Sequence, residues 1–134
     1  MERKGGCLCG EIRYSATLDN LRFGACHCPM CRKWTGGPLL NVRASSIVFE
    51  GTPTVYASSD WAERGFCSRC GSCLFYRLKS SSGPLHIAHG SLDNCEGLTF
   101  THQVFIDKKP AGYAFENATG TMTSAEVMAM FSKG

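Results

Sequence analysis

Seven of the nine cysteines in this 134-residue chain stand in three tight clusters: Cys7-Leu8-Cys9, Cys26-His27-Cys28-Pro29-Met30-Cys31 and Cys67-Ser68-Arg69-Cys70. Thiolates at such spacings are metal ligands, above all for zinc. A Zn–S bond is about 2.3 Å, so two sulfurs on one tetrahedral ion lie roughly 3.8 Å apart. An extended backbone brings residues i and i+2 to one face, which would aim both sulfurs of Cys7-x-Cys9 and of Cys26-x-Cys28 the same way. Across Cys28-x-x-Cys31 and Cys67-x-x-Cys70 a turn would do this, with Pro29 presetting φ at its first interior position. Gly71 would supply the positive φ that closes a metal knuckle.

Seven thiolates divide into a closed set of four and an open set of three, the difference between a structural zinc and a catalytic one that keeps a position for water or substrate. Cys7 and Cys9 need a distant pair to complete their site, and Cys67 and Cys70 are the natural complement, fastening the N-terminus to mid-chain. That leaves Cys26, Cys28 and Cys31 as a three-sulfur clamp. Cys73, Cys95 or a histidine are the alternatives for closing it, and Cys73 is also an alternative to Cys70. In Cys73-Leu-Phe-Tyr the thiol also reads as a small buried hydrophobe, Cys95 in its polar loop reads as a partly exposed thiol, and His27, between two ligands, is expected to point away. The expected complement is two Zn²⁺, one structural and one catalytic or labile.

Composition favours metal over disulfides. A secreted scaffold would carry an even cysteine count and a signal peptide, whereas nine is odd and Met1-Glu-Arg-Lys-Gly-Gly leads into the first pair without an apolar h-region. No run approaches the roughly 18 apolar residues of a membrane span, so the expected setting is the cytoplasm. The formal charge of +3 counts every cysteine as neutral. Two Zn²⁺ held by seven thiolates bring it to about zero, which removes the bulk-charge argument for nucleic-acid binding.

The elements that must position these groups read as mainly β. Residues 11–18 alternate polar and apolar as a half-buried strand does, with Asp19-Asn20 as its terminating turn. Further short strands are expected at 39–42, 47–50, 54–57, 73–77, 85–89 and 101–106, separated by the breakers Gly36-Gly37-Pro38, Gly51-Thr-Pro53 and the stretch 80–84. One helix is expected, at the C-terminus. There Thr123-Ser-Ala-Glu126 reads as a capping box and Val127, Met128, Met130 and Phe131 as a packing face.

Four motifs in order resemble a known family. Gly6-Cys-Leu-Cys-Gly10-Glu-Ile-Arg-Tyr14, Cys26-His-Cys-Pro-Met-Cys-Arg-Lys33 with Thr35-Gly36, Phe66-Cys-Ser-Arg-Cys-Gly71 and Gly90-Ser-Leu-Asp93 are similar to the glutathione-dependent formaldehyde-activating enzymes, which share their domain with centromere protein V. The resemblance covers roughly residues 3–115 and implies a single zinc-binding domain over 1–134 with a β-tent fold. It also implies a structural zinc on Cys7, Cys9, Cys67 and Cys70 and a catalytic zinc on Cys26, Cys28 and Cys31, the partition that spacing suggests. His102-Gln-Val-Phe105 and Lys108 fall where the family carries a His-x-x-Phe segment and a basic residue. Tyr113, in place of a tryptophan, and Cys73 depart from the pattern.

The implied reaction is a carbon–sulfur lyase or synthase reaction, joining glutathione and formaldehyde as S-(hydroxymethyl)glutathione or cleaving that adduct. Its partner would be a small-molecule thiol such as glutathione. Glutathione carries two carboxylates and an ammonium, so donors are expected near the clamp. Arg32, Lys33 and the backbone at Gly36-Gly37 are nearest in sequence, with Trp34 as a candidate wall. His86 and His89 default to structural roles and Asp93 to a turn. The second reading is a non-catalytic two-zinc interaction module, which would need a fourth side chain on the three-cysteine site.

Overall fold

The computed structural model describes residues 1–79 and 85–132, with side chains described to residue 130. The breaker expected at 80–84 lies outside the described residues. Nine strands among them form one sheet: β1 (Glu2–Gly6), β2 (Arg13–Cys26), β3 (Leu39–Glu50), β4 (Thr54–Ala57), β5 (Ala62–Phe66), β6 (Cys73–Leu78), β7 (Leu85–Ala88), β8 (Thr99–Val104) and β9 (Gly120–Met122). Their order is β4-β5-β6-β7-β3-β2-β8-β9, with β1 added to β2. Pairing is antiparallel except for β2 with β8 and β8 with β9, which run parallel. The mainly β class with a short C-terminal helix is as expected.

Strand β2 does not end at Asp19-Asn20. It continues to Cys26 through a register shift between Leu18 and Phe23, because local bonds take up the polar side chains that suggested a turn. Asn20 Oδ1 accepts from the Arg22 amide at 2.9 Å, and Asp19 pairs with Arg43 at 3.3 Å. The N-terminal half of β2 therefore lies between β1 and β3 and its C-terminal half between β8 and β3. Residues 39–42 and 47–50 likewise belong to one strand, β3.

Period-2 alternation divides the sheet into two chemistries. Val42 and Ala44 of β3, Phe75 of β6 and Ile87 of β7 join Tyr14, Ala16 and Leu18 of β2 in the core. Fully burying Val42 or Ile87 contributes about 1.5–3 kcal/mol each. Their neighbours Asn41, Arg43, Tyr76 and His86 line a cavity instead. Cys7 and Cys67 belong to the core cluster.

Two helices flank the sheet. The segment expected as an isolated turn is the helix α1 (Pro29–Thr35), with Cys28 as N-cap, Pro29 in its first turn and Gly36 closing it in the left-handed region at φ +82°. Seven residues offer too little apolar periodicity to announce a helix. The C-terminal helix α2 (Ser124–Ser132) carries the expected capping box. Glu126 Oε1 accepts from the Thr123 amide at 3.0 Å, and Thr123 Oγ1 accepts from the Glu126 amide at 3.2 Å. Its packing face is narrower than expected. Val127 is buried, whereas Met128 and Met130 are more than half exposed, and the Phe131 side chain lies outside the described residues. No helix among the described residues is long and apolar enough to cross a membrane.

Candidate metal centres and cavity

Cys7, Cys9, Cys67 and Cys70 converge, with all four sulfurs within 4.8 Å of one another. Cys7 and Cys9 sit in a turn rather than on an extended segment, because Gly10 at φ +83° folds its amide back to the Cys7 carbonyl at 3.3 Å. The Ile12 amide then donates to Cys7 Sγ at 3.3 Å. Across from it, Gly71 adopts the expected positive φ, +79°, and its amide donates to the Cys67 carbonyl at 2.7 Å. Ser72 joins the two turns, its Oγ accepting from the Leu8 amide at 2.9 Å and lying 3.2 Å from Cys70 Sγ. That Ser72 hydroxyl, then its amide, pulls the Cys70 thiol down to about 5. Sulfur separations of 3.6 Å for Cys7 to Cys9 and 3.8 Å for Cys9 to Cys67 suit four thiolates around one tetrahedral ion.

Cys26, Cys28 and Cys31 form the second group that could hold a metal ion, and no fourth Cys, His, Asp or Glu joins them among the described residues. Cys26 ends β2, Cys28 caps α1 and Cys31 lies one turn into it, its amide donating to Cys28 Sγ at 3.4 Å. The thiol of Cys26, then that of Cys31, holds Cys28 as the thiolate, down to about 2. Behind the group His27 is fully buried. Its Nε2 donates to Gln103 Oε1 at 2.8 Å, and Gln103 Nε2 donates to Thr119 Oγ1 at 2.9 Å. The expectation that His27 points away from the sulfurs agrees with this. Cys73 Sγ lies 3.7 Å from the Trp34 carbonyl and Cys95 Sγ 3.6 Å from the His89 carbonyl, so neither belongs to a sulfur group.

Arg64, on β5, is the residue that sequence reasoning missed. Only 3% exposed, it donates from Nη1 to Cys31 Sγ at 3.4 Å, and its guanidinium lies between the rings of Trp34 at 5.1 Å and Tyr76 at 4.9 Å. Each desolvated cation–π contact contributes about 1–2 kcal/mol. Its Nε has no hydrogen-bond partner.

A cavity of about 420 Å³ opens on these groups, with Cys26, Cys31 and Arg64 in its lining. Val104, Met122 and Val127 give it apolar walls, and Phe105 reaches it from a left-handed backbone at φ +55°. Besides Arg64, its polar groups are Asn41, Arg43, Tyr76, His86 and His102. Burial, reinforced by Arg43, pushes His86 down to about 4. Arg32 and Lys33, the basic residues nearest the clamp in sequence, do not line this cavity. Arg32 and Lys33 lie in the last turn of α1, and the Gly36 amide is occupied by the Arg32 carbonyl at 2.8 Å. Trp34 acts on the cavity through Arg64. His89 stacks on Phe23 with centroids 4.0 Å apart, and Asp93, expected to stabilise a turn, instead makes long-range bonds, its carboxylate pairing with Arg13 and its amide donating to the Lys4 carbonyl. At the variant position, the Tyr113 ring lies under Lys109 Nζ at 4.6 Å. Arg43 was legible in principle, since Leu39, Asn41 and Arg43 alternate on one strand, whereas nothing in the sequence marked Arg64.

Comparison with known proteins agrees with this geometry. The model of the family described as glutathione-dependent formaldehyde-activating enzyme matches residues 2–108. An uncharacterized lyase of Schizosaccharomyces pombe is 35% identical over 130 residues, covering 95% of both chains. A Halomonas elongata protein named for the same formaldehyde-activating family is 34% identical over 84 residues, 54% of each chain. A crystal structure of a Rhodobacter sphaeroides protein superposes with a TM-score of 0.57 over 73% of this chain and 99% of its own, at 21% identity, a likeness of fold.

Proposed function

The chain belongs to the glutathione-dependent formaldehyde-activating enzyme family, and from that premise we propose that it is a zinc-dependent carbon–sulfur lyase. In this reading it forms or cleaves the adduct of formaldehyde with glutathione or a related thiol, as a single domain with a structural zinc on Cys7, Cys9, Cys67 and Cys70 and a catalytic zinc on Cys26, Cys28 and Cys31. The observation that carries the proposal is the three-sulfur group without a fourth side-chain ligand, set in the wall of a cavity. A non-catalytic module would have no use for either. A zinc ion held there would keep a substrate thiol deprotonated at neutral pH.

The chain's own residues supply the rest. In the forward direction the substrate sulfur attacks the formaldehyde carbon, the carbon–oxygen π pair moves to oxygen, and the proton lost by the thiol ends on that oxygen as the hydroxymethyl group. Arg64 stands beside Cys31 with unused donor capacity. As a permanent cation it stabilises the oxygen as negative charge develops, where a preorganised donor has its greatest effect. The apolar walls exclude water and strengthen that interaction. Cys28, held as thiolate, is ready to ligate without losing a proton. A reducing compartment, the cytoplasm, suits nine free cysteines.

The test is the rate at which glutathione and formaldehyde exchange with their adduct, read by NMR at equilibrium, where the spontaneous reaction supplies the baseline. The zinc-loaded protein is expected to accelerate exchange, and Cys28→Ser to return it to the baseline. Exchange at the buffer rate in wild type, or equal acceleration by Cys28→Ser, would refute the proposal.

A further inference from the structure

A second cavity, about 220 Å³, shares Asn41, Arg43, His86 and His102 with the first and extends it to Asn20, Arg22 and Thr101. Strand register places this annex relative to the sulfurs. Cys26 pairs with Leu39, Gly24 with Asn41 and Phe23 with Val42, so Arg22 and Arg43 lie farther along the same two strands, away from the sulfurs. Arg22 is four residues from Cys26, about 13 Å at the rise of a strand. Midway, Gly24 pairs with His102 of β8, and a Cβ on Gly24 would overlap the His102 ring. The missing side chain therefore admits the imidazole and keeps the two cavities continuous.

The charge along this path is of one sign. Arg64 stands at the sulfur end, buried and with Nε unpartnered, and Arg22 and Arg43 stand at the other. No carboxylate lines either cavity. Asp19 pairs with Arg43 through Nε but lines neither cavity, and no ion pair engages Arg22 among the described residues. Asn41 Oδ1 lies 3.2 Å from His86 Nδ1 and accepts from that ring nitrogen, while its amide nitrogen donates to the Leu39 carbonyl at 3.2 Å. A site built this way has cationic donors for an anion and, among the described residues, no carboxylate to pair with an ammonium.

We propose that the annex is a carboxylate subsite: the enzyme takes anionic thiols as a class, holding a substrate carboxylate with Arg22 and Arg43 while the sulfur lies at Cys26, Cys28 and Cys31, and it offers an amino group no charged partner. The proposal rests on the reading of the three cysteines as the place where the substrate sulfur docks. Glutathione is then one member of the class, bound through a carboxylate, and its ammonium enters a cationic cavity whose lining holds no carboxylate. Acylating that ammonium removes an unfavourable charge and leaves the recognised groups in place.

Calorimetric titration of the zinc-loaded protein with glutathione and three derivatives separates these terms. N-acetylglutathione is expected to bind at least as tightly as glutathione, and the diethyl ester, which lacks both carboxylates, about tenfold or more weakly. In Arg43→Gln and in Arg22→Gln, each checked for native circular dichroism, the ester penalty is expected to shrink several-fold. The wild-type comparison stands without either variant. An ester that binds as tightly as glutathione, a penalty unchanged in both variants, or N-acetylglutathione binding tenfold more weakly would overturn the proposal. S-methylglutathione tests the premise separately: binding as tight as that of glutathione would overturn sulfur docking and leave the carboxylate measurement intact.

Discussion

Replacing Cys67 by serine should nearly unfold the domain, whereas the same change at Cys28 should not. Cys67 is 1% exposed and its set ties the turn after β1 to the turn after β5. Cys9 and Cys67, 3.8 Å apart through sulfur, are 58 residues apart in sequence. Treated as a cross-link, closing a loop of that length removes about 4 kcal/mol of entropy from the unfolded chain. A serine hydroxyl buried without a partner costs about a further 1–3 kcal/mol. The total, about 5–7 kcal/mol, rivals the whole stability of a typical domain. The Cys26/Cys28/Cys31 set closes only a few residues, for which the same relation gives about 2 kcal/mol. Urea unfolding of the metal-loaded proteins, followed by circular dichroism, measures the difference. Cys67→Ser within about 1 kcal/mol of wild type, or Cys28→Ser as destabilising as Cys67→Ser, would refute the division into a structural and a functional centre.

Stability should also fall with acid in a window set by His86. Its folded pKa, about 4, lies below the unfolded value near 6.5, so the unfolded state binds the extra proton between them and stability declines as pH drops from about 6.5 towards 4. The full loss attributable to His86 is about 3 kcal/mol, of which about 2 kcal/mol falls between pH 7 and pH 5, measurable as the difference between wild type and His86→Asn in unfolding at those two pH values. Gly65→Ala would drive a Cβ into the ring of buried Phe75 and should cost about 3 kcal/mol in the same assay. Gly24→Ala meets only the movable His102 ring and should cost about 1 kcal/mol while weakening glutathione binding in calorimetry. Gln103→Leu leaves His27 without a partner at Nε2 and should destabilise by about 1–3 kcal/mol, with a smaller loss in His27→Phe/Gln103→Leu.

Metal-ligand chemistry was legible because it is local. A thiolate announces itself by residue type, and pairs one or two residues apart can reach one ion under almost any backbone. The two groups read from spacing are the two the fold brings together, even though Cys7 and Cys9 use a turn where a strand was expected. A short strand set off by breakers, such as β4 after Gly51-Thr-Pro53, was equally legible. Strands β1, Glu-Arg-Lys-Gly-Gly, and β5, Ala-Glu-Arg-Gly-Phe, were not, because no apolar periodicity marks them. Their pairing comes from backbone bonds to β2 and to β4 and β6.

The substrate side of the site depended on those same non-local pairings. Sequence proximity pointed to Arg32 and Lys33, two residues or fewer from Cys31, yet helix α1 carries them out of the cavity lining, and Arg64, 33 residues away, takes the place beside the sulfur. Its position requires β5 to pair with β6 and two aromatic rings from distant segments to enclose it. Arg22 and Arg43 become neighbours of one annex only through the register of β2 on β3. The sequence by itself determined which atoms can hold metal, since ligand identity and short spacing are properties of the chain. Tertiary structure alone decided which cations face the three-sulfur group, because burial of an arginine against a cysteine sulfur and two rings is a property of packing between segments that no local pattern encodes.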